Sequence, residues 1–390
     1  MKRFEKTLLA ASIAAACAST AWAEDKKMPD KPALPTFGQL MEGAGISVTG
    51  HIDTSYTYLS GSGQFTSGTN NRVFDTERRS FNLQAVDLTV SALPQEGIGG
   101  LVNLTGGSDA KVIGSAGTTT TDEFDITQAY LHYARGNFMA IGGKYATLAG
   151  AEVIKSPANT NFSRSILFGY AIPFAHTGVR AYFTPGGSPV APDGKWTLIA
   201  GVNNGWDVQS ESQQTAAADG TRGLGKTLEF GATGNVGKSV SLVAVLYTGD
   251  ESAGAATTGR RDLLDIVTTI SLSDNLSLVF NYDTAKQEDA LTGGSDAKWN
   301  GLAAYVNYKL NDQWRVSLRG EQFDDKNGFR TGVTQKWKET TATLAYLPTK
   351  NVELRGEVRY DKSNVNSFNQ PDGGPKDNQN SVGLEAIYKF

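Results

Sequence analysis

The fold is decided by residues 352–360, which read VELRGEVRY. Even positions carry apolar side chains or glycine, and odd positions carry Glu353, Arg355, Glu357 and Arg359. In a β-strand this period of two puts each set on its own face of the sheet. A charged side chain at the middle of a lipid bilayer costs about 2–4 kcal/mol for Arg or Lys. We therefore expect the apolar face to meet lipid and the charged face to meet water.

Neighbouring segments repeat the pattern, as in residues 314–321 (WRVSLRGE) and 337–346 (WKETTATLAY). The charged faces together predict the wall of an aqueous lumen, formed by Arg315, Arg319, Glu321, Glu339, Glu353, Arg355, Glu357 and Arg359. Opposite charges across a pore would create a transverse field that orients dipolar solutes. Alternatively, the charges pair and stiffen the wall, and the sequence favours neither interpretation. The mixed signs argue against strong ion selectivity.

Alternating segments recur along the chain, and the connections between them alternate between short and long. The predicted strands are 46–59, 80–92, 99–105, 124–133, 138–145, 175–184, 195–204, 227–234, 240–249, 261–271, 276–284, 298–310, 314–323, 336–346, 352–361 and 380–390. Short turns on one side, long loops on the other and an even strand count are typical of a bacterial transmembrane barrel. We predict an all-β fold, an antiparallel transmembrane barrel of about 16 strands, within a range of about 14–18. Residues 46–390 are predicted to form it.

The first residues predict an export signal. Lys2, Arg3 and Lys6 precede an apolar run at 8–16 that is too short to span a bilayer, and small residues mark cleavage after Ala23. Lipoprotein processing at Cys17 is the alternative. We therefore expect a signal peptide at 1–23 and a periplasmic N-terminal segment at 24–45. A formal net charge of −4 gives no indication of nucleic-acid binding.

The last residues alternate from Val382 to Phe390. A terminal strand that closes on a Phe resembles the signal by which the barrel-assembly machinery recognises outer-membrane barrels. Aromatic residues beside the short turns and long loops predict two girdles at the water–lipid boundaries, and those beside the long loops include Tyr247, Tyr282, Phe323 and Tyr360. The predicted location is the outer membrane of a Gram-negative bacterium, among lipid and lipopolysaccharide.

A barrel of about 16 strands encloses an aqueous channel rather than a core of side chains. The long connection 147–174 contains apolar residues that an exposed loop would not need, so we expect it to fold inward as a third loop and narrow the pore. Glu152, Lys155 and Arg164 would be its charged tips. An additional strand hairpin, giving 18 strands, is the alternative for this segment.

Parts of the sequence resemble the OmpL-like β-barrel porin family. The resemblance lies in residues 143–152 (GKYATLAGAE), 159–165 (NTNFSRS), Phe168 and 173–179 (PFAHTGV), with weaker similarity at 45–50 (GISVTG) and 128–131 (QAYL). It implies an outer-membrane porin over essentially the whole chain after the signal peptide. The family's substrates are poorly defined, so the resemblance says nothing about the solute.

The sequence therefore predicts a porin for passive diffusion of small hydrophilic solutes and ions, without catalytic residues, metal or cofactor. A homotrimer is expected from analogy with other porins of 16 strands. One alternative is an adhesin or structural barrel that uses its outer loops. A barrel enzyme is the other, but such an enzyme would need an activating histidine, and His51, His132 and His176 lie within or beside strands.

Overall fold

The alternating segments form sixteen antiparallel strands in the computed structural model, which describes residues 41, 43–113, 123–209, 225–252, 258–291 and 293–390. They are β1 (Ser47–Leu59), β2 (Ser80–Ala92), β3 (Gly97–Gly106), β4 (Phe124–Arg135), β5 (Phe138–Ala146), β6 (Ala175–Phe183), β7 (Thr197–Asn203), β8 (Thr227–Val236), β9 (Val240–Ser252), β10 (Thr258–Ser271), β11 (Leu276–Leu291), β12 (Ser295–Lys309), β13 (Trp314–Asp325), β14 (Gln335–Thr349), β15 (Val352–Ser363) and β16 (Asn378–Lys389). The predicted signal peptide and nearly all of segment 24–45 lie outside the described residues.

The sheet closes on itself into a barrel. Each strand pairs with its neighbours in sequence, and β16 pairs with β1 in a register that sets Tyr388 opposite Ile52. The predicted antiparallel barrel of sixteen strands is thereby confirmed. The alternative of a hairpin in 147–174 is wrong, because this connection contains a 3-10 turn at Ser156–Ala158 and a π-helical turn at Leu167–Ala171.

Burial alternates along the strands as the sequence predicts. On β13 and β15, Leu318, Leu354 and Val358 are exposed on the outer face, whereas Arg319 and Arg355 are buried on the inner face. The exposed apolar face suits lipid, and charged groups of the inner face such as Arg319 and Arg355 find partners inside the barrel. A short helix, α1 (Ser108–Ile113), follows β3. No helix in the described ranges is long and apolar enough to cross a membrane.

Two aromatic residues predicted for the outer girdle lie inside the barrel instead. Tyr247 and Phe323 are fully buried, while Tyr282 and Tyr360 are exposed as expected. The reason is the parity of the strands: on β9 and β13 the odd positions face inward, so Tyr247 shares its face with Val245. Position near a loop does not decide the side on which an aromatic residue lies.

The barrel has two unlike walls. Strands β3–β8, here called the short wall, have 7 to 12 residues each. Strands β9–β16, the long wall, have 12 to 16 residues. Strands β1 and β2, with 13 residues each, lie between β16 and β3 and belong to neither wall. The connection at 147–174, called loop 147–174 below, joins β5 to β6 within the short wall. Because the strands of this wall are shorter, both ends of the loop lie where the long-loop edge of the barrel is lowest.

Candidate functional site: the lumen and its third loop

Arginine side chains of the long wall donate to main-chain carbonyl groups of loop 147–174. Arg319 donates to the Ser163 carbonyl at 2.6 Å, and Arg355 to the Asn159 carbonyl at 2.8 Å. Arg359 donates to the carbonyl of Arg164 at 2.7 Å. An irregular segment leaves such carbonyl groups without partners in regular structure, and a guanidinium with its five N–H groups supplies several at once.

Glutamate side chains of the same wall accept from main-chain N–H groups of the loop. Glu357 accepts from Phe162 and Ser163 at 2.7 and 3.0 Å. Glu321 accepts from Ile166 and Leu167 at 2.6 and 3.1 Å. Hydrogen bonds to charged groups contribute about 1.5–3 kcal/mol each. The wall therefore fixes the loop through its backbone, in both the donor and the acceptor direction.

The same wall charges are also paired with one another and with the loop. Arg319 lies 2.7 Å from both Glu152 and Glu339, and Arg355 lies 2.9 Å from Glu385 and 2.7 Å from Glu353. These side chains are almost inaccessible to water. Buried ion pairs add little net stability, but removing one partner costs about 3–5 kcal/mol because a charge is left without compensation. Pairing and stiffening therefore account for most of the wall charges.

Close approach of the loop depends on two wall positions without side chains. A Cβ atom on Gly383 of β16 would lie 2.6 Å from the Phe162 ring, and one on Gly301 of β12 would lie 2.6 Å from Leu167. On the same strand as Gly301, the Trp299 indole donates to the Ala171 carbonyl at 3.0 Å. The apolar residues of the loop thus pack directly against the inner surface of the sheet.

The three predicted loop charges differ in their surroundings. Glu152 and Arg164 are buried: Glu152 pairs with Arg319, and Arg164 donates to the carbonyl groups of Val153, Ile154 and Phe162. Lys155 pairs with Asp87 of β2 at 2.9 Å, and its side chain is 32% exposed. Lys155 is therefore the residue of the three that presents a charge to water. A role of the three residues in constricting the pore stays a prediction.

All eight predicted wall residues lie on the inner face, and all except Arg315 are buried. The sequence analysis did not single out Glu385, Asp87 or Tyr247. The alternation of the terminal strand does mark Glu385 as an inner residue. Tyr247, by contrast, donates to Glu229 and also binds the Leu148 N–H at 3.1 Å, contacts that no local pattern indicates.

The far end of the loop is fixed by a carboxylate outside the strands. Asp207 accepts from the N–H groups of Phe174 and Ala175 at 2.7 and 2.9 Å. Burial raises the pKa of the Asp207 carboxyl, although these two N–H groups oppose the shift. The loop is therefore held where it enters β6 as well as along the long wall.

Exposure differs sharply between the two partners of several ion pairs in the lumen. Arg315 is 25% exposed and Lys389 is 32% exposed, whereas Glu353, which contacts both, is 2% exposed. Lys155 and Asp87 differ in the same way, at 32% and 3%. In these pairs the cation faces water and the carboxylate is covered.

The histidines are buried and do not form a catalytic arrangement with one another. The His176 ring stacks on Tyr247 at 4.7 Å, and His51 lies 3.8 Å from Asp87. Within the residues that the structure describes, no group of three or more His, Cys, Asp or Glu side chains has the geometry to hold a metal ion. Phe390 is half exposed, and its main chain pairs with Gly50 of β1. Its role as an assembly signal stays a prediction.

Residues 45–390 match the family described as "Putative beta-barrel porin-2, OmpL-like". The chain belongs to this porin family. The predicted resemblance is thus confirmed, and the protein is an outer-membrane channel. No match is found among curated proteins.

Solved structures show the same fold at low sequence identity. The outer-membrane channel DcaP of Acinetobacter baumannii is 16% identical with a TM-score of 0.59, covering 88% of this chain and 97% of its own. The anion-selective porin from Comamonas acidovorans is 13% identical with a TM-score of 0.61, covering 88% and 99%. The trimer form of OmpT from Vibrio cholerae is 11% identical with a TM-score of 0.57, covering 88% and 99%.

Proposed function

We propose that the channel passes small hydrophilic solutes and ions by passive diffusion, with a preference for anions. The observation that carries this preference is the exposure of Arg315, Lys389 and Lys155 beside carboxylates that water hardly reaches. A passing ion interacts most strongly with charges that it can approach, and fixed cations favour anions in a pore. The sequence places charges of both signs on the lumen wall, but the charges that a passing ion can approach are therefore mainly positive.

The position of these cations supports the same proposal. Arg315 is the second residue of β13 and Lys389 is the last residue of β16, so both lie beside the short turns at one mouth of the barrel. Glu353 neutralises part of their charge, but the buried Arg355 shares this carboxylate at 2.7 Å. Arg355 also pairs with Glu385 at 2.9 Å, so two carboxylates lie among three cations, and the mouth keeps a net positive charge. Anion selectivity of a structural relative, the porin from Comamonas acidovorans, is consistent with this arrangement.

The test is single-channel recording of the refolded protein in a planar bilayer under a KCl gradient. We expect stepwise openings and a reversal potential that indicates a cation-to-anion permeability ratio below unity. The Lys389→Gln variant should move the ratio towards unity. The matched control is Lys362→Gln. Lys362 is an exposed lysine at the long-loop end of β15, away from the mouth that carries Lys389, and it pairs with Asp377. This variant should leave the permeability ratio unchanged.

A wild-type ratio above unity would contradict the anion preference, and a folded barrel without current would contradict the channel itself. In the second case the adhesin or structural interpretation would become the better one. Lipopolysaccharide and the barrel-assembly machinery stay predicted partners.

We further propose a homotrimer in which the short wall faces the other subunits. Its outer face carries a shallow groove of about 530 Å³ lined by residues such as Val102, Leu131 and Gly142. The trimer form of OmpT, a structural relative, is consistent with this proposal. Native mass spectrometry in detergent should show a trimer, and a monomer under the same conditions would contradict it.

A further inference from the structure

A stripe of branched aliphatic side chains lies on the inner face of the barrel. Its members are Ile199 on β7, Val243 on β9, Val267 on β10 and Val279 on β11. Val243 pairs across the sheet with Val267, and Val267 pairs with the inward-facing Asn281. On the short-turn side of the stripe, the inner positions 233, 235, 241, 269, 271 and 277 carry only Thr, Asn and Ser. On its loop side, Asp265 lies two residues from Val267, and Tyr305 pairs with Val279. Inner faces of porin barrels are usually polar, so the stripe calls for an explanation.

The stripe begins directly on the turn side of loop 147–174. Asn281 accepts from the Ala151 N–H at 3.1 Å, and Val279 lies two residues closer to the short turn. Tyr247 binds the Leu148 N–H, and Val243 lies four residues closer to the turn. At about 3.3 Å per residue, the stripe therefore occupies the part of the lumen just beyond the loop.

Exposed cations lie across the lumen from this stripe. In a closed barrel of sixteen strands, each strand faces the one eight positions away, so β8 faces β16 and β10 faces β2. Lys389 is on β16, and Lys155 is held by Asp87 of β2. This part of the lumen thus has one aliphatic side and one cationic side.

Resting on the proposed porin function, we infer that the channel selects small monocarboxylates with an apolar body over hydroxylated anions of the same chain length. The apolar body lies against the valine stripe while the carboxylate faces Lys389 and Lys155. Removing methylene groups from water on the aliphatic side favours entry. The contact is shallow, because Val243 and Val279 are half-buried and Ile199 and Val267 are buried. Conduction requires binding that is weak enough to permit exit.

The test compares hexanoate with gluconate, two six-carbon monocarboxylates of which the second carries a hydroxyl group on every carbon beyond the carboxylate. Reversal potentials are measured in planar bilayers with chloride on one side and either anion on the other. The decisive variant is Val243→Thr, Val267→Thr and Val279→Thr combined, which changes polarity at nearly constant side-chain volume. We expect the hexanoate-to-gluconate permeability ratio to fall about threefold. This change corresponds to somewhat less than the free energy gained when one methylene group is withdrawn from water.

KCl conductance of the triple variant reports whether the barrel has folded and opened, and we expect it to equal that of the wild type. If the triple variant does not form channels, the single variant Val279→Thr provides the same comparison with a smaller expected change. Lys389→Gln should lower the permeability of both anions together and leave their ratio unchanged. This pattern separates the aliphatic side from the cationic side.

An unchanged ratio in variants that conduct KCl normally would overturn this inference and leave the porin function intact. Absence of KCl openings in the wild-type protein would overturn the proposed function, and this inference with it.

Discussion

The long and short walls of the barrel use their inner faces differently. On the long wall, Arg319, Arg355, Glu321 and Glu357 bond to the main chain of loop 147–174. On the short wall, Arg180 pairs with Glu229 of the same wall at 2.9 Å, and Lys144 pairs with Asp125 at 3.0 Å. One wall holds a second layer of polypeptide, whereas the other satisfies its charges within the sheet.

This difference shows that charged residues on an inner wall need not line the water path. A loop that leaves and re-enters the short wall finds its hydrogen-bond partners on the opposite side of the barrel. The buried charges thus fix the shape of the channel. Its electrostatic character comes from the few groups that remain exposed, and three of these are Lys155, Arg315 and Lys389.

The largest effect is expected from deleting residues 151–165, which removes the segment that the long wall holds. Because a barrel of sixteen strands encloses an aqueous channel by itself, we expect single-channel conductance to rise about twofold. Conductance is measured in planar bilayers, and a heat-dependent shift in gel mobility reports folding. Unchanged conductance would mean that the loop does not narrow the pore.

A second comparison uses two arginines that share one carboxylate. Arg355→Met removes a buried guanidinium that contacts Glu353, Glu385 and the loop main chain, so we expect a loss of about 3–5 kcal/mol in unfolding free energy. Arg315→Met removes a partly exposed partner of the same Glu353, and we expect a loss of about 0–1 kcal/mol. Urea unfolding in lipid vesicles measures both, and equal losses would contradict the assigned role of burial.

The third comparison tests how tightly the short wall is built. A Cβ atom on Gly178 of β6 would lie 2.1 Å from the Val202 carbonyl oxygen, so Gly178→Ala should cost about 1–3 kcal/mol. On the long wall, a Cβ on Gly356 would meet its nearest neighbour, Leu384, at 3.8 Å. Gly356→Ala should therefore leave the urea midpoint nearly unchanged, and a similar loss in both variants would argue against a packing difference.

The smallest effect is expected where the two walls and the loop meet. Tyr247 donates to Glu229 of the short wall and binds the Leu148 N–H of the loop, so Tyr247→Phe should cost about 1–2 kcal/mol. Tyr282→Phe, on the exposed outer face, is the control and should be neutral within about 0.5 kcal/mol. A neutral Tyr247→Phe would show that the loop does not depend on this bridge.

Most of the barrel could be predicted because apolar and polar side chains alternate with a period of two along its strands. The boundaries of β2 are those predicted from the sequence, since alternation begins and ends sharply there. β11 was predicted to end at residue 284 but continues to Leu291. Its last residues include Lys286 and Glu288 and still alternate, and hydrogen bonding between strands continues where lipid ends. Alternation alone therefore does not mark the edge of the membrane.

The candidate site was predictable in its wall and not in its loop. Parity alone places Arg319, Arg355 and Glu357 on the inner face. Loop 147–174 has no period, so its main-chain groups point in directions that depend on tertiary contacts. Arg164 illustrates the limit: its sequence context indicates an exposed charge, yet its guanidinium binds three carbonyl groups of its own loop.

The pairing of β1 with β16 has a consequence for how the molecule forms. Fifteen of the sixteen strand interfaces join neighbours in sequence and can grow as successive hairpins, whereas this one joins residues more than 300 positions apart, such as Ile52 and Tyr388. Contacts of such long range carry the largest loop-closure entropy and form slowly. We expect the growing sheet to present two unpaired edges until this last interface forms, so the kinetics of insertion should be governed by a single late closing event.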